Sequence, residues 1–437
     1  MPFFDTLYIL QLEEYSNKRL LHWLPRFFFK RNIQKRERLI ITKKVLILTV
    51  LSHILFLISA LLLLIITRGN LYTSAALIVA HILAVPFFVF CANAIFTVVE
   101  LFPKKKQLAR AAQKAKRVNP KTIVIAGSFG KTSTKNFVYQ LSKSSFRTQM
   151  IPGNINTPMG IANWVLSSLL PTTELLIAEV DAYEVGEIKR SCLVIPADVA
   201  LLTNIGDQHL ERFKSKSELA QALSEVFSNS KPQSVKFCDK ETINLIAPYY
   251  PEIKEIRVPE PLTNANMVSL SKSNQHNLRY AVSIAKELGV PEDILHSAVQ
   301  NIELPERRQQ ITNLFGFEAI DDSYNISFTT ATAGIKAAKE LAQQKNKKLL
   351  VITAGIPELA KNEKDKNKEL GVLLSSHADF TIILASMFAQ EIAKGFSKMD
   401  HYAIVSTLTE TIQSVLPTYN KDEWVLLLQP ELNDLYY

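Results

Sequence analysis

Between Val45 and Thr67 the chain runs VLILTVLSHILFLISALLLLIIT without a single charged residue. About 20 apolar residues carry a helix across the hydrocarbon core of a bilayer, so this segment restricts the fold more than any other. Either it crosses a membrane or it forms the centre of a large helical core. A second stretch, Leu71–Phe102, follows directly after Arg68-Gly69-Asn70 and carries no charge before Glu100. Pro86 within it is tolerable, because neighbouring helices and local adjustments re-satisfy the freed backbone groups. So short a connection predicts a helical hairpin, with spans at about 45–67 and 71–95. Lys and Arg crowd both flanks, Arg26–Lys44 and Lys104–Arg117, which puts both ends on the cytoplasmic side; Arg68 is the one dissenting charge. His53 and His81 fall inside the spans and read as packed polar residues. The first 30 residues mix aromatic and charged side chains, as interfacial segments do. The apolar run starts too late for a cleaved signal peptide.

The net charge of +9 is concentrated in those two flanks. A membrane surface accounts for it better than nucleic acid, since no basic face interleaved with aromatics occurs elsewhere. Cys91, Cys192 and Cys238 are scattered, with no CxxC or Cys/His spacing, which argues against a disulfide framework and a zinc site.

After Arg117 the pattern changes to short apolar runs alternating with amphipathic stretches. TIVIAG (Thr122–Gly127), ELLIAEVD (Glu174–Asp181) and ADVALLTNI (Ala197–Ile205) read as buried strands, with a helix starting near Lys131. A second series follows Pro305–Gln310: FEAIDDS, KKLLVITAG, DFTIILAS, HYAIVS and EWVLLLQ. Strand–helix alternation predicts mostly parallel sheets in two α/β domains. The expected organisation is a membrane-anchoring region at 1–117, a central domain at 118–306 and a smaller one at 307–437.

Gly127-Ser128-Phe129-Gly130-Lys131-Thr132-Ser133 sits between a predicted strand and a predicted helix, the context a phosphate-binding loop requires. Its glycines let the backbone curl so that N–H groups turn inward, and the helix N-terminus favours an anion. Lys131 is placed to reach β- and γ-phosphates and the Thr132 hydroxyl to hold Mg²⁺. The first glycine lies closer to the second than in the common GxxxxGK[ST].

This shortened GxxGK[ST][ST] form resembles the Mur ligase family, the ATP-dependent amide ligases of peptidoglycan synthesis and their relatives. Further stretches agree in order: PGNINTPMGIA (Pro152–Ala162), AEVDAYEVGEI (Ala178–Ile188), LLTNIGDQHLERFKS (Leu201–Ser215), SNQHNLRYAVSIAKELGV (Ser273–Val290), PERRQ (Pro305–Gln309) and IDDSYNISFTT (Ile320–Thr330). The resemblance covers about Asn119–Gln429. It implies a central phosphate-loop domain with a mostly parallel sheet and a smaller Rossmann-like C-terminal domain, here preceded by an α-helical transmembrane hairpin. ATP and Mg²⁺ are implied between the two domains. It implies catalytic roles for Lys131, Glu179 and His209, with Thr132, Glu179 and His209 as the metal set and Asn204 and Asp207 supporting the loop. Nucleotide contacts are implied for Gly127, Ser128, Gly130, Lys131, Thr132, Ser133, Asn277, Asp322, Tyr324 and Asn325, with His276 behind Asn277. Arg307, or alternatively Arg308, is implied as the hinge arginine on ATP phosphate.

The implied reaction is activation of a carboxylate as an acyl phosphate, then attack by the amine of an amino acid or dipeptide. The implied partners are a muramyl peptide acceptor, UDP-linked or presented at the membrane, and the lipid bilayer. The implied location is the bacterial inner membrane, with the catalytic part in the cytoplasm and no nucleic-acid partner. Three departures stand out. Leu223 occupies the place of a lysine that bridges a second Mg²⁺ as a carbamate in many members. Asn367 stands where a histidine is frequent. Leu426–Tyr437 lacks a KGS-like turn. In addition, a hairpin replaces the UDP-gripping N-terminal domain. These departures leave open a second reading, a non-catalytic ATP-binding scaffold of the cell-wall machinery.

Overall fold

The computed structural model describes residues 3–27, 39–66, 84–153, 155–206, 213, 215–259, 272–305, 307–324, 326–357, 359 and 362–429. The chain divides into two compact units, one ending at Lys106 and the other beginning at Gln107.

The first unit contains α1 (Phe3–Leu12), α2 (Asn17–Phe27), α3 (Lys43–Ile66) and the start of α4 (Val85–Val118), whose last turns belong to the second. Among the described residues, α3 and α4 are the two helices long and apolar enough to cross a membrane. Along α3 the large apolar side chains are exposed, including Leu46, Val50, Leu57, Leu61 and Ile65. In water that would be an unstable surface, whereas hydrocarbon solvates it. Polar groups gather around the corner between α1 and α2. Trp23 Nε1 donates to Glu13 Oε1 at 2.7 Å, and Asn93 Nδ2 donates to the Tyr15 carbonyl at 2.7 Å. Near the start of α3, Lys44 and Lys104 both pair with Glu100, at 2.9 and 2.6 Å. His53 turns back onto its own helix, Nδ1 to the Thr49 carbonyl at 2.7 Å, and stacks edge-on against Phe3. Arg68, His81 and the first part of the expected second span lie outside the described residues.

The second unit is built on two sheets. The first follows the order β1 (Lys121–Ala126), α5 (Lys131–Ser142), β2 (Thr148–Met150), α6 (Pro158–Ser168), β3 (Leu175–Glu179), α7 (Glu187–Val194), β4 (Val199–Leu202), α8 (Lys216–Ser228), β5 (Val235–Phe237), α9 (Lys240–Ile246) and β6 (Ile256–Arg257). Its strands are all parallel, in spatial order β2-β3-β1-β4-β5-β6. α10 (Lys272–Leu288) and α11 (Glu292–Gln300) pack with α5 on one face, around Ile123, Phe137, Leu201 and Leu278. The other face buries Val124, Leu176 and Leu202 against α6, α7 and α8, with Ala111 and Ala115 of α4. Parallel strands covered on both faces read as unbroken apolar runs, which is why β1, β3 and β4 were visible in the sequence. The short β2, β5 and β6 were not.

The second sheet contains β7 (Gln310–Leu314), β8 (Phe317–Asp321), β9 (Lys348–Thr353), β10 (Phe380–Leu384), β11 (Tyr402–Val405) and β12 (Trp424–Leu428), ordered β11-β10-β9-β12-β8-β7. Only the edge strand β7 is antiparallel to its neighbour. α12 (Phe328–Gln344) lies between β8 and β9 in sequence, and α13 (Glu363–His377) follows β9. All five strands expected in this half are present; β7, tied to β8 by a tight turn at Phe315-Gly316, was not foreseen.

Candidate active site

The phosphate loop forms where β1 ends. Gly127 takes φ +139° and Gly130 φ +83°, and a Cβ on either would strike a neighbour, Thr203 Oγ1 or the Asn277 amide. Only glycine fits both. The loop is moulded by the end of β4: the Asn204 carbonyl accepts from Ser128 N at 3.0 Å, and Asn204 Oδ1 accepts from Phe129 N at 3.1 Å. Asn204 Nδ2 and Thr203 Oγ1 donate to the Phe129 carbonyl at 2.9 and 2.7 Å. The first amides of the loop are therefore committed to protein. The anion-binding capacity lies instead at the first turn of α5, which no side chain caps and which retains the positive end of the helix dipole.

Four charged side chains, Lys131, Lys135, Glu179 and Asp181, meet in front of that turn, all nearly excluded from water. Lys131 folds back to donate to the Gly127 carbonyl at 2.5 Å and pairs with Asp181 Oδ2 at 3.1 Å. Thr132 Oγ1 donates to Glu179 Oε2 at 2.8 Å. Lys135, one helical turn beyond Lys131 and fully buried, pairs with the same Glu179 oxygen at 3.5 Å and donates to the Ile151 carbonyl at 2.8 Å. Burial pushes the Lys135 ammonium below the usual lysine range, while Glu179 opposes the shift. Gly153 leaves room beside Thr132 and Glu179, its Cβ position lying 3.2 Å from Thr132 Cγ2.

The segment before β7 closes this group. Arg308 Nη2 reaches Thr132 Oγ1 at 2.9 Å, and its guanidinium lies 4.2 Å from the centre of the Tyr324 ring. Burial lowers its pKa, with Glu179, Tyr324 and Asp322 holding the charge in place. Arg307 has φ +58° and an exposed side chain; its carbonyl accepts from Tyr324 N at 3.2 Å. Of the adjacent arginines, Arg308 is the one brought to the phosphate loop. Asp322 is buried, and burial pushes its carboxyl up to about 8 against the pull of Arg308 and Gln309.

Ser128 and Ser133 are buried in the loop and first turn, and Ser128 Oγ accepts from Gly206 N at 2.9 Å. Asn277 is buried against Gly130. His276 sits behind it, stacked on Tyr280 and 3.9 Å from Asp239, its pKa lowered by burial. Asp207, His209 and Asn325 lie outside the described residues. Among the described residues, no three side chains of metal-ligating type cluster together; Thr132 and Glu179 form a pair.

Two of the departures have a structural explanation, while most of the Leu426–Tyr437 segment, from residue 430 on, lies outside the described residues. Leu223 is fully packed in the core beneath the first sheet. Glu225, two residues on, accepts from Gly186 N at 2.7 Å and Lys189 N at 3.0 Å and so caps α7. Asn367 is fully buried, and its amide pins Ile356 from both sides, at 2.8 and 2.9 Å. Asp181, Lys135 and Thr203 were not singled out in the sequence. Two signals were there to find: Lys135 is four residues after Lys131, hence on the same helix face, and Asp181 lies two residues past Glu179.

Residues 125–304 match the Mur ligase middle domain. The UDP-N-acetylmuramoyl-tripeptide–D-alanyl-D-alanine ligase of Bacillus subtilis is 23% identical over 360 residues, covering 76% of this chain and 78% of that protein. The Rickettsia prowazekii enzyme of the same name is 35% identical over 119 residues, 27% of this chain and 26% of its own. Among solved structures, the MurF ligase of Thermotoga maritima in complex with ADP superposes with a TM-score of 0.65 at 22% identity, covering 75% of this chain and 80% of that one. The bifunctional folylpolyglutamate synthase/dihydrofolate synthase of Yersinia pestis, complexed with AMPPNP and Mn, reaches 0.54 at 14% identity, over 75% and 91% of the two chains. Residues 125–304 are thus a Mur ligase middle domain, and over about three quarters of its length the chain is similar in sequence and in fold to ligases of that family.

Proposed function

We propose that this chain is an ATP-dependent amide ligase of peptidoglycan precursor synthesis that joins a muramyl peptide carboxylate to the amine of an amino acid or dipeptide. The observation that carries this is the convergence of Lys131, Thr132, Glu179, Asp181 and Arg308 at the uncapped start of α5. The named relatives act on a UDP-linked muramyl tripeptide and D-alanyl-D-alanine, and related structures hold ADP, or AMPPNP with Mn.

The donor set suits a nucleotide with a hard divalent cation. One carboxylate and one hydroxyl, beside room for phosphate oxygens and water, is what Mg²⁺ takes. Thr132 and Glu179 would hold it, joined by His209, and it would supply charge neutralisation at the phosphates. Gly127, Ser128, Gly130, Ser133 and the first-turn amides of α5 shape the phosphate site. Asn277, Asp322, Tyr324 and Asn325 are assigned to the rest of the nucleotide.

In the reaction, a carboxylate oxygen attacks the γ-phosphorus, the bond to the β–γ bridging oxygen breaks, and ADP leaves. The acyl phosphate is then attacked by the amine; nitrogen loses a proton and inorganic phosphate departs as the amide forms. Lys131, held in place by Asp181, and Arg308 face the charge that shifts during transfer, where preorganised cations lower the barrier most. Arg308 replaces Arg307 in this role.

The bilayer is the partner of the first unit, with α3 and α4 crossing it and the catalytic part on the cytoplasmic side. The exposed apolar surface of α3 and its basic flank support this. A hairpin where soluble relatives grip UDP favours an acceptor presented at the membrane. The test is ADP release and amide product from detergent-purified chain, with UDP-linked and lipid-linked peptide acceptors compared. Faster turnover with the lipid-linked acceptor is expected. Equal turnover removes the membrane-acceptor assignment. Nucleotide binding without product, across a panel of amines, establishes the scaffold reading instead.

A further inference from the structure

Glu179 ends β3 at the carboxyl edge of the first sheet and is 2% exposed. Its Oε2 is engaged twice, by the Thr132 hydroxyl at 2.8 Å and by the Lys135 ammonium at 3.5 Å. Arg308, on Thr132 Oγ1 at 2.9 Å, is close enough for its charge to act on both Glu179 and Lys135. Lys135 has no exposed surface, and its bond to the Ile151 carbonyl at 2.8 Å ties it to the segment just after β2. An ammonium and a carboxylate buried this deeply lose most of their hydration, so each depends on the other's charge.

Two features of the pair bear on a ligand. Both protein contacts fall on Oε2, while Oε1 lies 3.9 Å from the point a Cβ on Gly153 would occupy, so glycine leaves room beside it. The charge balance is also one-sided. Lys131, Lys135 and Arg308 set three positive charges around the two carboxylates Glu179 and Asp181. Asp322, its carboxyl pushed up to about 8 by burial, adds little negative charge near neutrality. Among the described residues the site is therefore net positive by itself. A bare divalent cation would add two more positive charges where water screens little. The phosphates of a nucleotide outweigh that charge and remove the obstacle. Mg²⁺ suits such an arrangement, because it is held by one or two carboxylates together with substrate phosphates rather than by an all-protein cage.

We propose that Lys135 is a resident cation that bars Glu179 from a bare divalent ion, so that this chain takes up metal only together with nucleotide phosphates. Lys135 acts through Glu179 and is a positioning residue. The inference rests on the nucleotide site of the ligase reading above and adds to it an order of loading.

The test uses full-length chain in detergent and Mn²⁺, whose paramagnetic resonance signal distinguishes free from bound ion. Lys135→Met keeps the length and removes the charge; Lys135→Gln removes the charge and keeps an N–H donor. Wild type should bind Mn²⁺ with ADP present and leave it free, at the same concentration, with ADP absent. Both variants should bind Mn²⁺ alone about tenfold or more tightly than wild type does, the scale of one neighbouring charge. In EDTA their thermal midpoints should fall below that of wild type, since Glu179 is left a buried anion short of a partner. Mn²⁺ alone should raise those midpoints and leave that of wild type unmoved. Wild type holding Mn²⁺ as well without ADP as with it overturns the inference. So do variants whose midpoints fall while their Mn²⁺ binding does not rise, which makes Lys135 a structural tie to Ile151. If wild type binds no ADP, the ligase reading falls, and the comparison of Mn²⁺ alone still decides Lys135: a gain in either folded variant upholds the inference, and no gain overturns it.

Discussion

The carboxyl edges of the two sheets are wired differently. At the first, charges answer one another: Lys131 has Asp181, Lys135 has Glu179, and the Thr132 hydroxyl lies between Glu179 and Arg308. At the second, Gln429 and the Gln309 oxygen are unpaired and Asp322 is buried next to Asp321. The first edge is complete without a ligand, so a nucleotide must exchange partners with groups already in place. The second is incomplete, and a ligand there adds bonds without displacing any.

The largest expected effect comes from breaking the first edge at its phosphate-facing cation. Lys131→Ala should lower kcat by about a hundred- to a thousandfold, the range for removing one preorganised charge-stabilising donor. Unchanged circular dichroism with that loss keeps the effect catalytic, and near-normal turnover contradicts the assignment. Next, Glu179→Ala strands Lys135 in a fully buried position. Leaving a buried ion without its partner costs roughly 3–5 kcal/mol, readable by urea unfolding of the soluble part's signal. The double variant Glu179→Ala/Lys135→Met should recover much of that stability while metal-dependent nucleotide binding stays weak.

The adjacent arginines sharpen the contrast between the edges. Arg308→Ala should raise KM for ATP by about ten- to a hundredfold, as for a lost charge-assisted hydrogen bond, whereas Arg307→Ala, exposed and turned away, stays within about twofold. Equal effects at both positions would remove the distinction drawn from their geometry. The last effect is in pH dependence. Asp322 has its pKa raised on folding, to about 8, by burial. The folded chain then holds a proton that the unfolded chain has shed. Stability contributed by this group is greatest below about pH 4, declines as pH rises and levels off above about pH 8. Asp322→Asn lacks that slope, so its unfolding free energy should gain on wild type steadily across this window.

Much of this was legible in the chain itself. The uncharged run in α3, the glycines preceding Lys131 and the apolar runs of β1, β3, β4, β8, β9, β10 and β12 are local patterns, and local patterns survive in one dimension. Edge strands such as β2, β6 and β7 are short and carry too little periodicity to announce themselves. Leu223 and Asn367 were visible as departures, but that one is apolar core and the other a backbone clamp follows only from what surrounds them.

The sequence by itself determined that two long apolar stretches precede a phosphate loop set between a strand and a helix, and that α/β alternation continues through two sheets. Tertiary structure alone decided which charges meet. Asp181 reaches Lys131, and Arg308 rather than Arg307 turns inward, because a left-handed φ at Arg307 reverses the chain just there. It also left Gln429 without a partner, since strands β8, β9 and β12 are far apart in sequence and only their pairing in the sheet puts Asp322, Ile352 and Gln429 side by side. Spacing along a chain encodes helices and strands; partnership between buried polar groups depends on contacts across the fold, where dielectric and geometry set each group's charge and reach.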